Sequence, residues 1–146
     1  TRINHTTLLM SMRNNDHSAF PNHRFQAYSG DWGETWTPPE QSPLTSPLWG
    51  CEGSIIAQSP DRHSNETPVL YYSGPRGLLL RIDMSVLRSS DSGATWTVYA
   101  NIWSSAAGYS SLAIVNHTRM FLVYARSRVP RVVFRSEGIY SAVLRL

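Results

Sequence analysis

The chain has 146 residues, 41% of them hydrophobic, which suits one globular domain with a sizeable core. Its formal charge is +3, and its basic residues are all Arg, scattered except for a moderate cluster from Arg126 to Arg135. The sequence has no basic stripe with interleaved aromatic side chains, so nucleic-acid binding is not favoured. No run approaches the roughly twenty apolar residues of a membrane span.

Short apolar runs alternate with Gly, Pro, Ser and Asn, and the helical period is nearly absent, so the sequence predicts an all-β protein. The first predicted group of strands holds Thr6–Arg13, Arg24–Tyr28 and Thr35–Thr37. The second holds Ser54–Gln58, Val69–Ser73, Arg81–Arg88 and Thr95–Tyr99. The third holds Tyr109–Val115, Met120–Arg126, Val132–Arg135 and Ile139–Leu146. The predicted connections are the Pro-rich stretch Pro38–Trp49 and the stretch Ser59–Pro68.

Groups of three or four strands that recur about every 45–50 residues are typical of β-propeller blades. Propellers close their ring with four to eight blades, and about three are predicted here. We therefore expect the chain to be part of a larger protein. The first residues already form a predicted strand and carry no signal peptide, as in a mature product or a fragment.

Two copies of one pattern, S-x-D-x-G-x-T-W, occupy Ser29–Trp36 and Ser89–Trp96. The Ser and Asp side chains can accept hydrogen bonds from backbone N–H groups and close a turn. Gly supplies the backbone angles of a tight turn, and Trp packs beneath it. We interpret both boxes as stabilising turns between strands, lying away from any catalytic chemistry.

The remaining markers concern compartment and cofactors. Cys51 is a single cysteine, so no intramolecular disulfide is possible. The five His residues show no metal-ligand spacing, and neither a metal nor another cofactor is predicted. Three N-x-T sequons begin at Asn4, Asn65 and Asn116. They are candidate glycosylation sites and favour the secretory pathway, in a lysosomal or extracellular location.

Three further segments accompany the boxes: Leu8–Asn14, which contains Arg13; Ser73–Pro75 followed by Arg81–Val86; and Ala107–Leu112, which contains Tyr109. With the boxes, which are similar to the Asp-box, they resemble the C-terminal half of a lysosomal-sialidase-like catalytic domain. The resemblance covers essentially all of residues 1–146. It implies a six-bladed β-propeller of the sialidase (neuraminidase) family whose N-terminal blades are absent from this chain.

The resemblance also implies site residues. Arg13 and Arg81 match two arginines that bind the carboxylate of sialic acid, a role suited to planar guanidinium groups. Tyr109 matches the nucleophile, and a neutral phenol avoids repulsion from the substrate carboxylate. Glu52 stands where relatives often have a Gln near the substrate. The implied parent is an exo-α-sialidase that releases terminal sialic acid from glycoproteins, glycolipids or oligosaccharides with retention.

Departures from the family pattern leave alternatives open. The family's acid Asp, base Glu and first triad Arg would precede Thr1, so we expect this chain alone to be inactive. Ala125 stands where relatives have a Glu that orients the first triad Arg, and Arg81-x-Asp83 replaces the commoner Arg-x-Asn. The alternatives are a non-catalytic Asp-box propeller that binds sialylated glycans or a protein partner, and a structural repeat domain without a ligand.

Overall fold

The computed structural model describes residues 1–4, 6–15, 22–59, 66–129 and 135–146. These residues form nine strands: β1 (Leu8–Met12), β2 (His23–Ser29), β3 (Glu40–Thr45), β4 (Ser54–Gln58), β5 (Val69–Pro75), β6 (Ile82–Ser89), β7 (Thr97–Asn116), β8 (Arg119–Arg126) and β9 (Gly138–Arg145). The described ranges contain no helix, and hence none that is long and apolar enough to cross a membrane. The prediction of an all-β protein is confirmed.

The strands form two sheets, in which every neighbouring pair is antiparallel. β1, β2 and β3 make a three-stranded sheet, and β4 to β9 make a six-stranded sheet in chain order. The three predicted groups of strands are thus present as three successive meanders. The second and third groups, however, share β7, because its first half pairs with β6 and its second half, from Ala107 onward, pairs with β8.

Two predicted strands differ from the structure. The third strand of the first group is β3, which lies inside the predicted connection Pro38–Trp49, and Thr35–Thr37 lies outside any strand. β3 tolerates Pro43 because it is an edge strand of its sheet, where a missing N–H need not break a ladder. The predicted strand Val132–Arg135 falls mostly outside the described residues, and Arg135 itself is not in a strand.

The core lies between the meanders. The larger cluster joins the second and third groups through buried side chains that include Met84, Val86, Met120 and Leu122. A smaller cluster of Ile3, Leu9 and Leu70 joins the first group to the second. From Arg119 to Tyr124, buried residues of β8 alternate with more exposed ones, so one face of that part of the strand points into the core. The two clusters thus hold the three meanders together.

The two boxes have matching hydrogen-bond networks. In the second box, Gly93 donates its N–H to Ser89 Oγ at 2.9 Å, Thr95 donates its N–H to Asp91 Oδ1 at 2.9 Å, and the Trp96 indole donates to the Gly93 carbonyl at 3.0 Å. The first box repeats these bonds from Gly33, Thr35 and Trp36. Gly33 and Gly93 have φ of 97° and 92°, a region that favours glycine. The interpretation of both boxes as closed turns is confirmed.

Candidate active site

One loop, Trp49–Glu52, gathers the residues that the sequence singled out. Arg13, just after β1, donates from Nη2 to the Trp49 carbonyl at 2.8 Å. Arg81, just before β6, donates from Nη2 to the next carbonyl, that of Gly50, at 3.0 Å. Consecutive Cα atoms are about 3.8 Å apart, so both guanidinium groups reach one short stretch of backbone. The fold thus brings together two arginines from different meanders.

Tyr109 stands out from its strand because of its backbone. It lies in β7, where the register against β8 shifts between Gly108 and Ser110. Its φ is 46°, in the left-handed region that non-glycine residues rarely adopt. Such a bulge turns a side chain away from the regular ladder. The Tyr109 side chain is 43% exposed, and its ring lies 5.1 Å from the guanidinium carbon of Arg81.

Cys51 connects the loop to Tyr109. Its Sγ accepts a hydrogen bond from the Tyr109 N–H at 3.5 Å, and its side chain is only 1% exposed. Burial raises the pKa of the Cys51 thiol; the Tyr109 N–H and the charges of Arg81, Arg13 and Arg24 oppose that rise. The sequence marked this cysteine only as unable to form an intramolecular disulfide, and the structure places it between the candidate binding residues.

The sequence analysis missed Arg24. Its side chain is 2% exposed; Nη1 donates to the Cys51 carbonyl at 2.7 Å and Nε donates to Ser11 Oγ at 2.9 Å. Its guanidinium carbon also lies 5.3 Å from the centroid of the Tyr72 ring. No strong signal in the sequence pointed to it, because polar and apolar residues do not alternate regularly along β2. Only the packing of β2 against the loop marks this arginine.

Close packing restricts the loop itself. Gly50 has a φ of 60°, and a Cβ there would lie 2.4 Å from the Asn14 carbonyl oxygen and 2.9 Å from Arg13 Cγ. Only glycine meets both the backbone and the space requirements at this position. Gly53, directly after the loop, is also confined in space, since a Cβ there would lie 2.5 Å from the Tyr72 hydroxyl. The loop is therefore closely packed between the residues that follow β1 and strand β5.

A hollow of about 340 Å³ opens beside Tyr109. This volume falls within the range of small-molecule sites. Its polar lining includes Glu52, Tyr109, Ser110 and Ser111, and its apolar lining includes Val123, Ala125 and Ile139. Glu52 is exposed at this hollow, and Ala125 is a buried wall residue, 4% exposed. Glu52 and Tyr109 thus share one concave surface. Arg13 and Arg81 are not among the described residues that line it, and they contact the adjoining loop.

The hollow and the boxes are separated along the strands. Arg81 directly precedes β6, and the second box begins at Ser89, where β6 ends. Eight residues of extended chain span roughly 26 Å. The box residues consequently lie at the opposite end of β6 from the candidate site, and their hydrogen bonds remain within the turns. In the described ranges, no three His, Cys, Asp or Glu side chains are arranged to hold a metal ion.

Two of the three candidate glycosylation sites lie within the described residues. Asn116 ends β7 at the turn into β8, and its Oδ1 accepts hydrogen bonds from the N–H and hydroxyl of Thr118 at 2.9 and 3.0 Å. Asn4 is also exposed, and its Oδ1 accepts the Thr6 and Thr7 N–H groups. Asn65 lies outside the described residues. Both described sequons thus present an exposed Asn in a tight turn.

Residues 1–122 match the model of the family described as BNR repeat-like domain. This match agrees with the repeated turns and antiparallel meanders of the structure. This chain belongs to that family. Comparison with curated proteins gives no match. The BNR repeat-like match includes both boxes, Arg13, Arg81 and Tyr109, so it spans the whole candidate site except the β8–β9 side of the hollow.

Solved structures share the fold of this BNR repeat-like chain. A variant of the NanB sialidase from Streptococcus pneumoniae is 16% identical with a TM-score of 0.67, over 83% of this chain and 18% of that chain. The leech intramolecular trans-sialidase is 18% identical with a TM-score of 0.65, over 93% of this chain and 22% of that chain. An alpha-L-arabinofuranosidase from Fusarium graminearum is 18% identical with a TM-score of 0.57, over 84% of this chain and 38% of that chain.

The comparisons confirm the predicted relationship to sialidases at the level of the fold, and the described strands form part of a propeller. At these identities, the structural likeness concerns the fold alone. The arabinofuranosidase shows that this fold also occurs in a protein whose name indicates a different sugar. The BNR repeat-like chain spans less than half the length of each structure. Residue roles must therefore be argued from the site.

Proposed function

We propose that this chain supplies part of the sialic-acid site of an exo-α-sialidase. In this proposal Arg13 and Arg81 bind the substrate carboxylate, Tyr109 attacks the anomeric carbon, and Glu52 contacts the sugar. The observation that carries it is the convergence of Arg13, Arg81 and Tyr109 on three consecutive residues of one loop, Trp49–Cys51. The substrates would be sialylated glycoproteins, glycolipids or oligosaccharides.

The geometry suits this chemistry. A bulged Tyr109 presents its phenol at the hollow instead of packing it in the ladder, and Arg81 holds a fixed positive charge against the ring face. The phenol oxygen would form a bond to the anomeric carbon as the glycosidic C–O bond breaks. Water would later cleave the tyrosyl–sugar bond, so the two displacements together retain the configuration.

This mechanism needs a base to accept the phenol proton and an acid to protonate the leaving oxygen. The only carboxylate among the described residues lining the hollow is Glu52, which we assign to substrate contact. We therefore propose that the acid Asp, the base Glu and the first triad Arg come from other parts of a longer protein. The 146 residues alone should bind the sugar weakly and should not turn it over.

The test uses this chain with two measurements. A fluorogenic sialoside measures turnover, and chemical-shift changes in an isotope-labelled sample measure binding of N-acetylneuraminic acid. We expect no turnover, a dissociation constant on the order of millimolar, and loss of binding in Arg13→Gln and Arg81→Gln. Tyr109→Phe should bind almost normally, because it removes only the phenol oxygen. Turnover by the isolated chain would contradict its proposed inactivity, and unchanged binding in both arginine variants would contradict the site.

A second candidate is a non-catalytic propeller that binds sialylated glycans or a protein partner. The observation that favours it is Ala125, whose small buried side chain forms part of the hollow wall in β8. The residues of a longer protein that precede Thr1 discriminate the two candidates. An Arg, an Asp and a Glu at the family positions would support the enzyme, and their absence would support binding alone.

We also propose glycosylation at Asn4, Asn65 and Asn116 and a lysosomal or extracellular location. The exposure of Asn4 and Asn116 supports the first point. Expression through the secretory pathway of cultured mammalian cells tests it, since peptide N-glycosidase would then lower the apparent mass. Single Asn→Gln variants assign each attached glycan, and a product with no mass change would contradict the proposal.

A further inference from the structure

Arg24 is a buried cation that has no acidic partner among the residues that the structure describes. It is 2% exposed, and its side chain contacts the Cys51 carbonyl, the Ser11 hydroxyl, and both the ring face and the hydroxyl of Tyr72. Within the described residues the recorded ion pair is Arg76–Asp83, and it does not involve Arg24. Removing a guanidinium from water without a counterion is unfavourable, so its retention at a buried position calls for an explanation.

The position of Arg24 relative to the other two arginines provides an explanation for its burial. The carbonyls of Trp49, Gly50 and Cys51 accept hydrogen bonds from Arg13, Arg81 and Arg24, respectively. The outer two Cα atoms of this stretch are at most about 7 Å apart. Three guanidinium groups, from three different places in the chain, therefore converge on one turn of backbone. All three also exert an electrostatic influence on the buried Cys51 sulfur.

We infer that Arg24 is a positioning residue of the anion site formed by Arg13 and Arg81, acting from behind the Trp49–Glu52 loop through its fixed charge. The inference rests on the proposed function, because Arg13 and Arg81 must bind the substrate carboxylate. Arg24 is buried and does not touch the sugar. Its charge adds to the positive potential at the Trp49–Glu52 loop, where Arg13 and Arg81 also lie.

If Arg24 acts through its charge, its replacement should weaken binding of a charged ligand only. If it only supports the loop, its replacement should weaken binding of a charged and a neutral ligand equally. The probes are N-acetylneuraminic acid and its methyl ester, which lacks the carboxylate charge. Arg24→Gln removes the charge while retaining an N–H donor for the Cys51 carbonyl, and Arg24→Lys retains a charge. We expect Arg24→Gln to weaken binding of the acid about threefold or more and to leave the ester unchanged, whereas Arg24→Lys retains most of the acid affinity.

The matched control is Arg119→Met, which removes one Arg charge at the far end of the β7–β8 hairpin. It should leave both ligands unaffected. Thermal unfolding establishes that each variant is folded, and Arg24→Met serves as a second charge-removing variant. Equal weakening of acid and ester by Arg24→Gln would assign Arg24 a scaffold role only and overturn the inference.

A second measurement needs no ligand and separates this inference from the proposed function. The Cys51 thiol reports the local potential, and its titration is followed by the Cβ chemical shift. We expect Arg24→Gln and Arg24→Met to raise the thiol pKa relative to Arg119→Met, since each removes a charge that lowers it. An unchanged thiol pKa would overturn the inference. A raised pKa in a chain that binds no sialic acid would overturn the proposed function instead.

Discussion

The guanidinium carbon of Arg81 lies 5.1 Å from the centroid of the Tyr109 ring, and both residues are tied to the same loop. Arg81 donates to the Gly50 carbonyl, and the Tyr109 N–H donates to the Cys51 sulfur. A cation over an aromatic face is attracted by the negative potential of the ring. Because neighbouring loop residues hold the two groups, a change in the loop should move them together.

Gly50→Ala tests that loop. Its φ of 60° disfavours alanine, and the new Cβ would lie 2.4 Å from the Asn14 carbonyl oxygen. We expect a loss of about 2 kcal/mol or more in the free energy of unfolding, measured by urea denaturation. The matched control is Gly30→Ala, because a Cβ at Gly30 meets nothing within 4 Å. It should change stability by no more than about 0.5 kcal/mol, and equal losses in both variants would contradict this account.

At position 109, the glycine variant should be more stable than the alanine variant, which reverses the usual order of stability in a strand. Glycine is normally less stable than alanine there, by roughly 0.5–1 kcal/mol, because it loses more backbone freedom on folding. At a φ of 46°, alanine carries a steric penalty that glycine avoids. We therefore expect Tyr109→Gly to be more stable than Tyr109→Ala by about 1 kcal/mol in urea denaturation.

Ser111 provides the comparison for Tyr109, since it is exposed on the same strand and pairs regularly with Val123. There Ser111→Ala should be more stable than Ser111→Gly, in the usual order. The same order at both positions would show that the Tyr109 backbone is not strained.

The aspartates of the two boxes predict how the stability of the fold changes at low pH. Hydrogen bonds from the Thr95 hydroxyl, the Thr95 N–H and the Ser89 hydroxyl lower the pKa of Asp91 to about 2, and the equivalent bonds from Thr35 and Ser29 do the same for Asp31. An unfolded Asp titrates near 3.9. Since the folded pKa is the lower one, the boxes stabilise the fold above about pH 4, and this contribution is lost as the pH falls through about 2.

Side-chain carboxyl chemical shifts should give titration midpoints near 2 for both aspartates. Denaturation between pH 4 and pH 2 should show a weaker pH dependence in the double variant Asp31→Asn, Asp91→Asn than in the parent chain. Glu34→Gln is the matched control, because it removes an exposed carboxylate from the first box without removing a bond of its network. Ordinary midpoints near 4 would argue against the networks.

Cys51 should be protected from alkylation in the folded chain. It is 1% exposed, and burial raises the pKa of its thiol, which lowers the thiolate fraction that reacts. Iodoacetamide at pH 8 should leave the native protein unmodified over a period that gives complete reaction in urea, with intact mass as the measurement. Rapid modification without urea would show that the Trp49–Glu52 loop opens readily.

Much of the local structure could be predicted from the sequence. Short apolar runs separated by Gly, Pro, Ser and Asn predicted the strands. The spacing of Ser, Asp, Gly and Thr in the two boxes predicted the turns, because the bonds of each turn join residues within four positions of one another. β3 was missed because Pro43 and its neighbours indicate a connection, and only its place at a sheet edge makes proline acceptable there.

For the site, sequence similarity singled out Arg13, Arg81, Glu52 and Tyr109, but their arrangement depended on the tertiary structure. The sequence contained no sign that Arg24 lies under the same loop or that Cys51 contacts Tyr109, since these pairs are distant in the chain. Local propensities act over a few residues and determine turns and strands. The convergence of three arginines on Trp49, Gly50 and Cys51 was decided by packing between meanders, which no local pattern encodes.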